Sequence, residues 1–262
     1  MNIHQTAIVS PEAKIHPSVT VGPFSIIGPH VEIDEGTKIL SHVVIEGHTK
    51  IGKNNQFFQF GSIGAPPQDT SYKGETTRVI IGDNNIFREY VSIHRGTLKE
   101  NKETVIKNNC LLMAYVHVGH DVVLGNNIIV ANSSNFAGHV KVGDRVIIGG
   151  STNIAQFVKV GRGAYIGGGT GIDKDIPLFC TALGNRVRLK GINIIGMKRQ
   201  GYAREKISEV VDFYRMMESS SLSPRAFVDH PENIAEYKGN EVIQEMIEAI
   251  RGSEIGLPPF SM

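Results

Sequence analysis

An apolar residue returns every six positions along most of this chain, and this period constrains the fold more than any other feature. The frame holds through 3–63, resumes over 81–93, and returns at 106–172, often with glycine directly after the apolar residue. Short strands joined by tight turns explain the period, because glycine and asparagine accept turn dihedrals while the aliphatic side chain points inward. The sequence therefore predicts a mainly β chain folded as a parallel β-helix of hexapeptide repeats.

The period lapses twice, and each lapse predicts an excursion of the chain away from the β-helix. We expect one excursion near 64–80, where the sequence reads GAPPQDTSYKGETTRV, and a second, charge-rich one near 96–105. Loops held by a rigid scaffold often carry function, although the second excursion could equally be a solvated loop.

The hexapeptide pattern does not continue into the C-terminal part of the chain. Apolar residues there follow helical spacing within 203–218 and again within 242–250. The pair Ser223–Pro224 is typical of the start of a helix. We therefore predict a β-helix domain at 1–185 and a C-terminal α-helical domain at 186–262.

The overall charge and the cysteine count exclude several classes of protein. The 27 basic residues nearly cancel the 26 acidic ones, so no general field attracts nucleic acid or an anionic membrane. No stretch approaches the roughly 20 apolar residues of a transmembrane helix, and the N-terminus lacks the apolar core of a signal peptide. Cys110 and Cys180 are too few for a disulfide framework. We expect a cytoplasmic protein with no nucleic-acid partner and no transmembrane segment.

One local charge bias remains within the neutral total. Basic residues dominate the segment 186–206, which contains Arg186, Arg188, Lys190, Lys198, Arg199, Arg204 and Lys206 against only Glu205. Such a patch suits a phosphate-bearing substrate or an acidic protein partner, and a solvated surface is the competing interpretation.

The coil geometry converts distance along the sequence into neighbourhood. Three six-residue repeats make one coil of about 18 residues in hexapeptide proteins, so residues at that separation lie above one another. His120, Gly138 and Gln156 form one such column, and His139 lies one coil above His120 and one residue further along. With His117 just before the same corner, the fold predicts a cluster of histidines on one edge.

Three roles compete for this histidine cluster. His117, His120 and His139 could ligate zinc, which needs at least three protein ligands around one tetrahedron. Alternatively, one histidine could be a general base oriented by a carboxylate, since Asp121 adjoins His120. Neighbours on a strand point to opposite faces, so a contact between these two requires turn geometry. The third interpretation is that the histidines are only exposed surface residues.

Gly138 is a candidate for a further role in the same column. Because it has no side chain, its N–H can approach a developing oxyanion, which acyl transfer requires. A turn glycine without a catalytic role is the competing interpretation.

Several longer strings resemble one family of hexapeptide enzymes. They are IGPHVEI, SHVVIEGHTKIG, QFGSIGAPPQD, FREYVSIHRGT, LLMAYVHVGHD, AGHVKVGD and GINIIGMKRQGY. Together they resemble, over essentially the whole chain, the UDP-N-acetylglucosamine acyltransferases that begin lipid A synthesis. The resemblance implies a left-handed β-helix, a homotrimer with clefts between subunits, and no metal or other cofactor. It also implies that acyl-carrier-protein delivers a 3-hydroxyacyl thioester to the 3-hydroxyl of UDP-N-acetylglucosamine.

The resemblance assigns roles to individual positions. It implies that His120 is the general base, that Asp121 is its supporting carboxylate, and that Gly138 donates its N–H to the oxyanion. Further positions match residues that contact the nucleotide sugar or the acyl donor, namely Gln68, Asp69, His117, His139, Gln156, Asn193 and Arg199. Gly168 matches the position that limits acyl length, and its missing side chain suggests a longer chain.

Three positions depart from the family pattern and concern the acceptor. Ser71 stands where the family has a substrate-binding lysine, and Lys73 could reach the same anion. Ala155 replaces a histidine, and Ile195 replaces a carboxylate. A related acyltransferase acting on a different or 3-amino nucleotide sugar is therefore the first alternative, followed by a zinc hydratase and by a catalytically silent binding module.

Overall fold

The computed structural model describes residues 2–261, and the chain forms the predicted left-handed parallel β-helix, followed by helices. Before the first excursion the strands are β1 (Asn2–Ile3), β2 (Ile8–Val9), β3 (Lys14–Ile15), β4 (Thr20–Val21), β5 (Ile26–Ile27), β6 (Glu32–Ile33), β7 (Lys38–Ile39), β8 (Val44–Ile45), β9 (His48–Ile51), β10 (Gln56–Phe57) and β11 (Ser62–Ala65). Between the excursions they are β12 (Arg78–Ile81), β13 (Ile86–Phe87) and β14 (Ser92–His94).

The β-helix continues above the second excursion. Its strands there are β15 (Glu103–Ile106), β16 (Leu111–Leu112), β17 (His117–Val118), β18 (Val123–Leu124), β19 (Ile129–Val130), β20 (Asn135–Phe136), β21 (Lys141–Val142), β22 (Ile147–Ile148), β23 (Asn153–Ile154), β24 (Lys159–Val160), β25 (Tyr165–Ile166) and β26 (Gly171–Ile172). A hairpin of β27 (Cys180–Leu183) and β28 (Arg188–Ile192) closes the β part of the chain.

Every third strand of the β-helix belongs to the same sheet, so the coil has three flat faces. Sheet A contains β1 and each third strand through β25, sheet B runs from β2 to β26, and sheet C runs from β3 to β24. The neighbours within each face are parallel, and β27 and β28 extend sheet A with an antiparallel pair. Leu112, Val130 and Ile148 stack in register at the spacing of 18 residues.

The interior of the coil is a column of the apolar residues that define the period. Ile45, Ile93 and Val130 each have 0 % of their surface exposed, and the rings of Phe57 and Phe87 stack at 4.7 Å. Burying one such aliphatic side chain contributes about 1.5–3 kcal/mol. The repeat therefore provides a rigid scaffold whose corners are free to carry polar groups.

Both excursions leave the scaffold at the corner between sheets B and C. The first connects β11 to β12, and the second connects β14 to β15. Each is shorter than predicted, because flanking residues extend the strands of sheet C and pair there, as Arg78 does with His48 and with Glu103. The two excursions consequently lie one above the other on a single edge.

The C-terminal segment is helical, as predicted. Its helices are α1 (Ile194–Arg199), α2 (Arg204–Ser219), α3 (Pro224–Asp229), α4 (Pro231–Ile234) and α5 (Glu241–Arg251), with a 3-10 turn at Ala235–Tyr237. Ser223 caps α3 by accepting a hydrogen bond from the Ala226 N–H. The predicted domain boundary between 185 and 186 falls in the turn between β27 and β28, and it stays a prediction. Across residues 2–261, no helix combines the length and apolar character that crossing a membrane requires.

Candidate active site

The turn that follows β17 brings His120 and Asp121 together at the corner between sheets B and C. Asp121 has a φ of 60°, in the left-handed region, so its side chain folds back toward the preceding residue instead of pointing to the opposite face. The Nδ1 of His120 lies 2.8 Å from Asp121 Oδ2, and both side chains are buried. The contact between adjacent residues thus depends on the turn.

Asp121 is held by the second excursion. The N–H of Thr97 donates to Oδ1 at 2.9 Å, and the Thr97 hydroxyl donates to Oδ2 at 2.7 Å. Burial alone would raise the pKa of this carboxyl, but the hydrogen bonds from His120 and Thr97 outweigh it and hold the pKa below its usual range. Asp121 is therefore an anion at neutral pH, so Nδ1 of His120 is the nitrogen that donates to this carboxylate, and Nε2 is the ring nitrogen that takes no part in the pair.

His139 lies one coil above, as the coil spacing predicts. Its ring meets that of His120 edge-on at 5.0 Å between centroids and stacks on Phe157 at 4.6 Å. Its Nε2 is 3.8 Å from Asp121 Oδ2, and its Nδ1 is 3.7 Å from Glu100 Oε1, both beyond hydrogen-bonding distance. Burial lowers the pKa of His139, so this histidine is an uncharged group beside the His120–Asp121 pair.

The backbone of Gly138 lies against the imidazole of His120. A Cβ atom at this position would come within 2.4 Å of His120 Cε1 and 2.7 Å of Nε2, so no side chain fits. The Gly138 N–H has no hydrogen-bond acceptor among residues 2–261. Proline occupies the equivalent turn position in lower coils, for example at Pro23 and Pro29, because this N–H takes no part in the ladder. A backbone donor without a partner among the described residues thus belongs to the glycine that packs against the imidazole of His120.

His117 and His94 form a second, lower pair of rings on the same edge. The Nδ1 of His117 is 2.8 Å from Ser92 Oγ, and the two imidazoles meet at a right angle, 5.0 Å apart. Burial lowers the pKa of His117 and lowers that of His94 to about 4. His94 was not predicted as a site residue, because the period lapses directly after it and its one signal lies in the family-like string FREYVSIHRGT.

The first excursion places Asp69 beside the second. Asp69 Oδ1 accepts hydrogen bonds from the Ser71 N–H and hydroxyl at 2.8 and 2.7 Å, and Oδ2 lies 2.6 Å from Lys99 Nζ. The hydrogen bonds from Lys99 and Ser71 hold the pKa of Asp69 well below its usual range. Gln68 and Lys73 are exposed, and the backbone N–H of Lys73 donates to the carboxylate of Glu75 at 2.8 Å.

The remaining predicted substrate residues lie elsewhere on this chain. Gln156 is exposed in the turn one coil above Gly138, and Gly168 is exposed at the corner between sheets A and B. Asn193 caps α1 through the Gly196 N–H, and it lines a cavity of about 830 Å³ on sheet A together with Arg199. A single chain therefore brings His117, His120, Asp121, Gly138 and His139 together, but not Asn193 or Arg199.

The structure groups a different set of candidate zinc ligands from the three histidines that the sequence suggested. One ligand atom from each of His120, Asp121 and His139 lies within 4.8 Å of the others, whereas His117 does not belong to this group. Both oxygens of Asp121 already accept hydrogen bonds, from Thr97 and from His120. The Nδ1 of His120 also faces this carboxylate, so the donors are arranged around one another and not around a common point.

Comparison with known proteins shows that this chain is similar to one group of enzymes. Residues 175–257 match the family model described as UDP-N-acetylglucosamine O-acyltransferase, domain 2, and residues 12–47 and 103–138 match the bacterial transferase hexapeptide model. An acyl-[acyl-carrier-protein]–UDP-N-acetylglucosamine O-acyltransferase from Saccharophagus degradans is 44 % identical over 97 % of this chain and 98 % of its own length.

A second relative and a solved structure show the same similarity. The enzyme of the same name from Psychromonas ingrahamii is 62 % identical over 66 % of this chain and 67 % of its own. The crystal structure of a UDP-N-acetylglucosamine acyltransferase from Bacteroides fragilis superposes with a TM-score of 0.93 at 38 % identity, covering 97 % of this chain and 98 % of that one. The similarity spans the β-helix, both excursions and the helical segment.

Proposed function

This chain belongs to the acyl-[acyl-carrier-protein]–UDP-N-acetylglucosamine O-acyltransferase family, and we propose that it carries out this reaction. It transfers a 3-hydroxyacyl chain from acyl-carrier-protein to the 3-hydroxyl of UDP-N-acetylglucosamine, the first step of lipid A biosynthesis. The observation that carries the proposal is the buried His120–Asp121 pair beside the free N–H of Gly138.

His120 acts as the general base in this mechanism. Its Nε2 takes the proton from the sugar 3-hydroxyl as the oxygen attacks the thioester carbonyl carbon. The new C–O bond forms, the C–S bond breaks, and the proton passes from Nε2 to the departing thiolate of the carrier. Asp121 stabilises the imidazolium that exists between these two steps.

Gly138 stabilises the tetrahedral intermediate. The thioester carbonyl oxygen becomes negatively charged when the hydroxyl attacks, and a fixed backbone donor near it lowers the barrier without reorganisation. The position of the Gly138 backbone against His120 supports this role, since a base and an oxyanion donor must flank the same carbon.

The distribution of charge over the three faces supports a homotrimer. Outward-facing strand residues of sheet C include Lys14, Lys141 and Lys159. Among the described residues, the strands of sheet B contain no lysine, arginine or carboxylate, and β1–β25 of sheet A contain only Lys38. An exposed ladder of aromatic side chains, stacked 4.7–5.1 Å apart, marks the corner between sheets A and B and consists of Phe24, His42, Phe60, Tyr90 and Tyr115. Three copies that pack sheet B of one against sheet A of the next form a closed ring with this corner at its axis.

This ring also unites the two separate sets of predicted site residues. The corner between sheets B and C carries His120, and it meets the outer edge of the neighbour's sheet A. Asn193 and Arg199 lie at that edge of the neighbour, beside the cavity on sheet A. The nucleotide sugar then binds in a cleft between two subunits, with the base from one and a cation from the other.

We assign the reaction to the cytoplasm. Cys110 and Cys180 are both free and buried, which suits a reducing compartment. The near-zero net charge of the chain agrees with small-molecule and protein substrates and does not favour a membrane surface.

A transfer assay tests the proposed reaction. The purified chain is incubated with a series of 3-hydroxyacyl-carrier-protein thioesters and either UDP-N-acetylglucosamine or its 3-amino analogue, and products are identified by mass spectrometry. We expect acylated UDP-N-acetylglucosamine, formed equally well in the presence of a chelator. Exclusive acylation of the 3-amino analogue would instead support the alternative that Ser71, Ala155 and Ile195 suggest. Saturable nucleotide binding without any acylated product would indicate a silent binding module.

A further inference from the structure

Lys99 lies on the second excursion, outside the hexapeptide repeat. It projects from the second excursion across to the first, where its Nζ meets the carboxylate of Asp69 at 2.6 Å. Two residues earlier, Thr97 binds Asp121, and the next residue, Glu100, approaches His139. The ammonium group of Lys99 therefore lies at the same corner as the His120–Asp121 pair.

We propose that Lys99 contributes a second cation, from the subunit that carries the base, to the diphosphate of the nucleotide sugar at this corner, a role that rests on the proposed function. The side chain of Lys99 is 52 % exposed, while that of Asp69 is only 9 % exposed. An ammonium group has three N–H donors, and Asp69 engages one of them. The others remain available for phosphate oxygens on the open side of the ion pair.

The other cations near this corner are committed or unanchored. The guanidinium of Arg95 donates to the Gly64 carbonyl and to the Tyr72 hydroxyl. Lys141 pairs with Glu100 at 3.5 Å. Lys73 is exposed and has no ion pair within residues 2–261. Of these, Lys99 alone combines a fixed position with an accessible ammonium group.

Ser71 has a defined part in this arrangement. Its N–H and hydroxyl both donate to Oδ1 of Asp69, which leaves Oδ2 directed at Lys99. A carboxylate held in this way restricts the rotamers of the long lysine side chain and so reduces the entropy lost when a phosphate binds. A serine at position 71 and a lysine at position 99 thus form one unit, in which Asp69 is the connector.

The test measures nucleotide binding separately from turnover. Lys99→Met removes the charge and keeps the length of the side chain, and Lys102→Met is the matched control in the same excursion, where Lys102 is exposed. Binding of UDP-N-acetylglucosamine and of UDP is measured by titration calorimetry, and KM and kcat are measured with saturating acyl donor. We expect Lys99→Met to weaken binding and to raise KM about 10- to 100-fold, the effect of one charge-assisted hydrogen bond.

The same variants distinguish this role from a structural one. For Lys99→Met, kcat and the thermal unfolding midpoint should stay close to wild type. The variant Lys99→Arg should retain much of the affinity for the nucleotide. Adding Ser71→Lys to Lys99→Met should partly restore nucleotide binding. Unchanged affinity for UDP in Lys99→Met would overturn the inference, as would a loss that appears only in Lys73→Met. If wild type binds the nucleotide in a Lys99-dependent way but transfers no acyl group, the proposed reaction fails while this inference stands.

Discussion

At the scale of single residues, the site depends on how one turn orients a histidine. The left-handed conformation of Asp121 places its carboxylate on Nδ1 of His120, and the bare backbone of Gly138 leaves the opposite nitrogen accessible. Both features follow from the repeat, because most hexapeptide turns have one residue with positive φ and one N–H outside the ladder. The proposed catalytic groups therefore use the ordinary geometry of the coil.

The variant His120→Asn tests the assigned base. Asparagine keeps a donor for Asp121 but cannot take up the proton of the sugar hydroxyl, so kcat should fall about 10²- to 10⁴-fold. The oligomeric state by size-exclusion chromatography should be unchanged. Residual turnover within a few-fold of wild type would remove His120 from the role of base.

The neighbourhood of His120 was predictable from sequence only where the period holds. Spacing of 18 residues correctly placed Gly138 above His120 and His139 beside it. The contacts of Thr97 and Lys99 were not predictable, because the excursion that carries them has no period and its path depends on side-chain hydrogen bonds. The aperiodic residues are also the ones that link the two excursions to the site.

At the scale of elements, the second excursion is anchored to the scaffold through the Asp121 carboxylate. The Thr97 hydroxyl accepts a hydrogen bond from the Lys99 N–H at 3.2 Å and donates to Asp121, so a single side chain orders the loop around it. Loss of this anchor should therefore alter both the hydrogen bonding of the His120–Asp121 pair and the position of Lys99.

Thr97→Val should destabilise the fold in a pH-dependent way. Removing a donor from a buried carboxylate costs about 1–3 kcal/mol at pH 7. Because the pKa of folded Asp121 is depressed, its hydrogen bonds contribute stability above the unfolded value of about 3.9, and this contribution is lost as pH falls through the folded pKa. Urea unfolding at pH 7 and at pH 3 should give a larger difference from wild type at pH 7, and Thr97→Ser should be nearly neutral. An equal deficit at both pH values would contradict the assignment.

The elements themselves were largely predictable, apart from the hairpin of β27 and β28 and the short helices α1 and α4. Helical spacing predicted α2 and α5, and Ser223 marked the start of α3. The hairpin of β27 and β28 was not predicted because its residues do not follow the period of six. Alternating buried positions at Cys180 and Ala182, and again at Val187 and Leu189, carried the period-two signal of a strand pair.

At the scale of the whole molecule, the site that we propose is complete only if two copies contribute to it. His120 lies at the corner between sheets B and C, and Arg199 lines the cavity on sheet A. The resemblance to a family indicated both His120 and Arg199 as site residues. The period of the sequence alone did not show that they lie on different faces of the β-helix. That separation follows from the triangular cross-section.

The most direct test of a site shared between subunits is complementation between two inactive variants. His120→Asn removes the base, and Arg199→Glu reverses the charge expected to meet the nucleotide from the neighbouring subunit. Each variant alone should be nearly inactive. When the two are co-expressed with different tags, every mixed ring contains one site with both native residues, so random assortment restores about a quarter of wild-type activity. Activity no higher than the average of the two parents, in mixed trimers confirmed by both tags, would contradict a site shared between subunits.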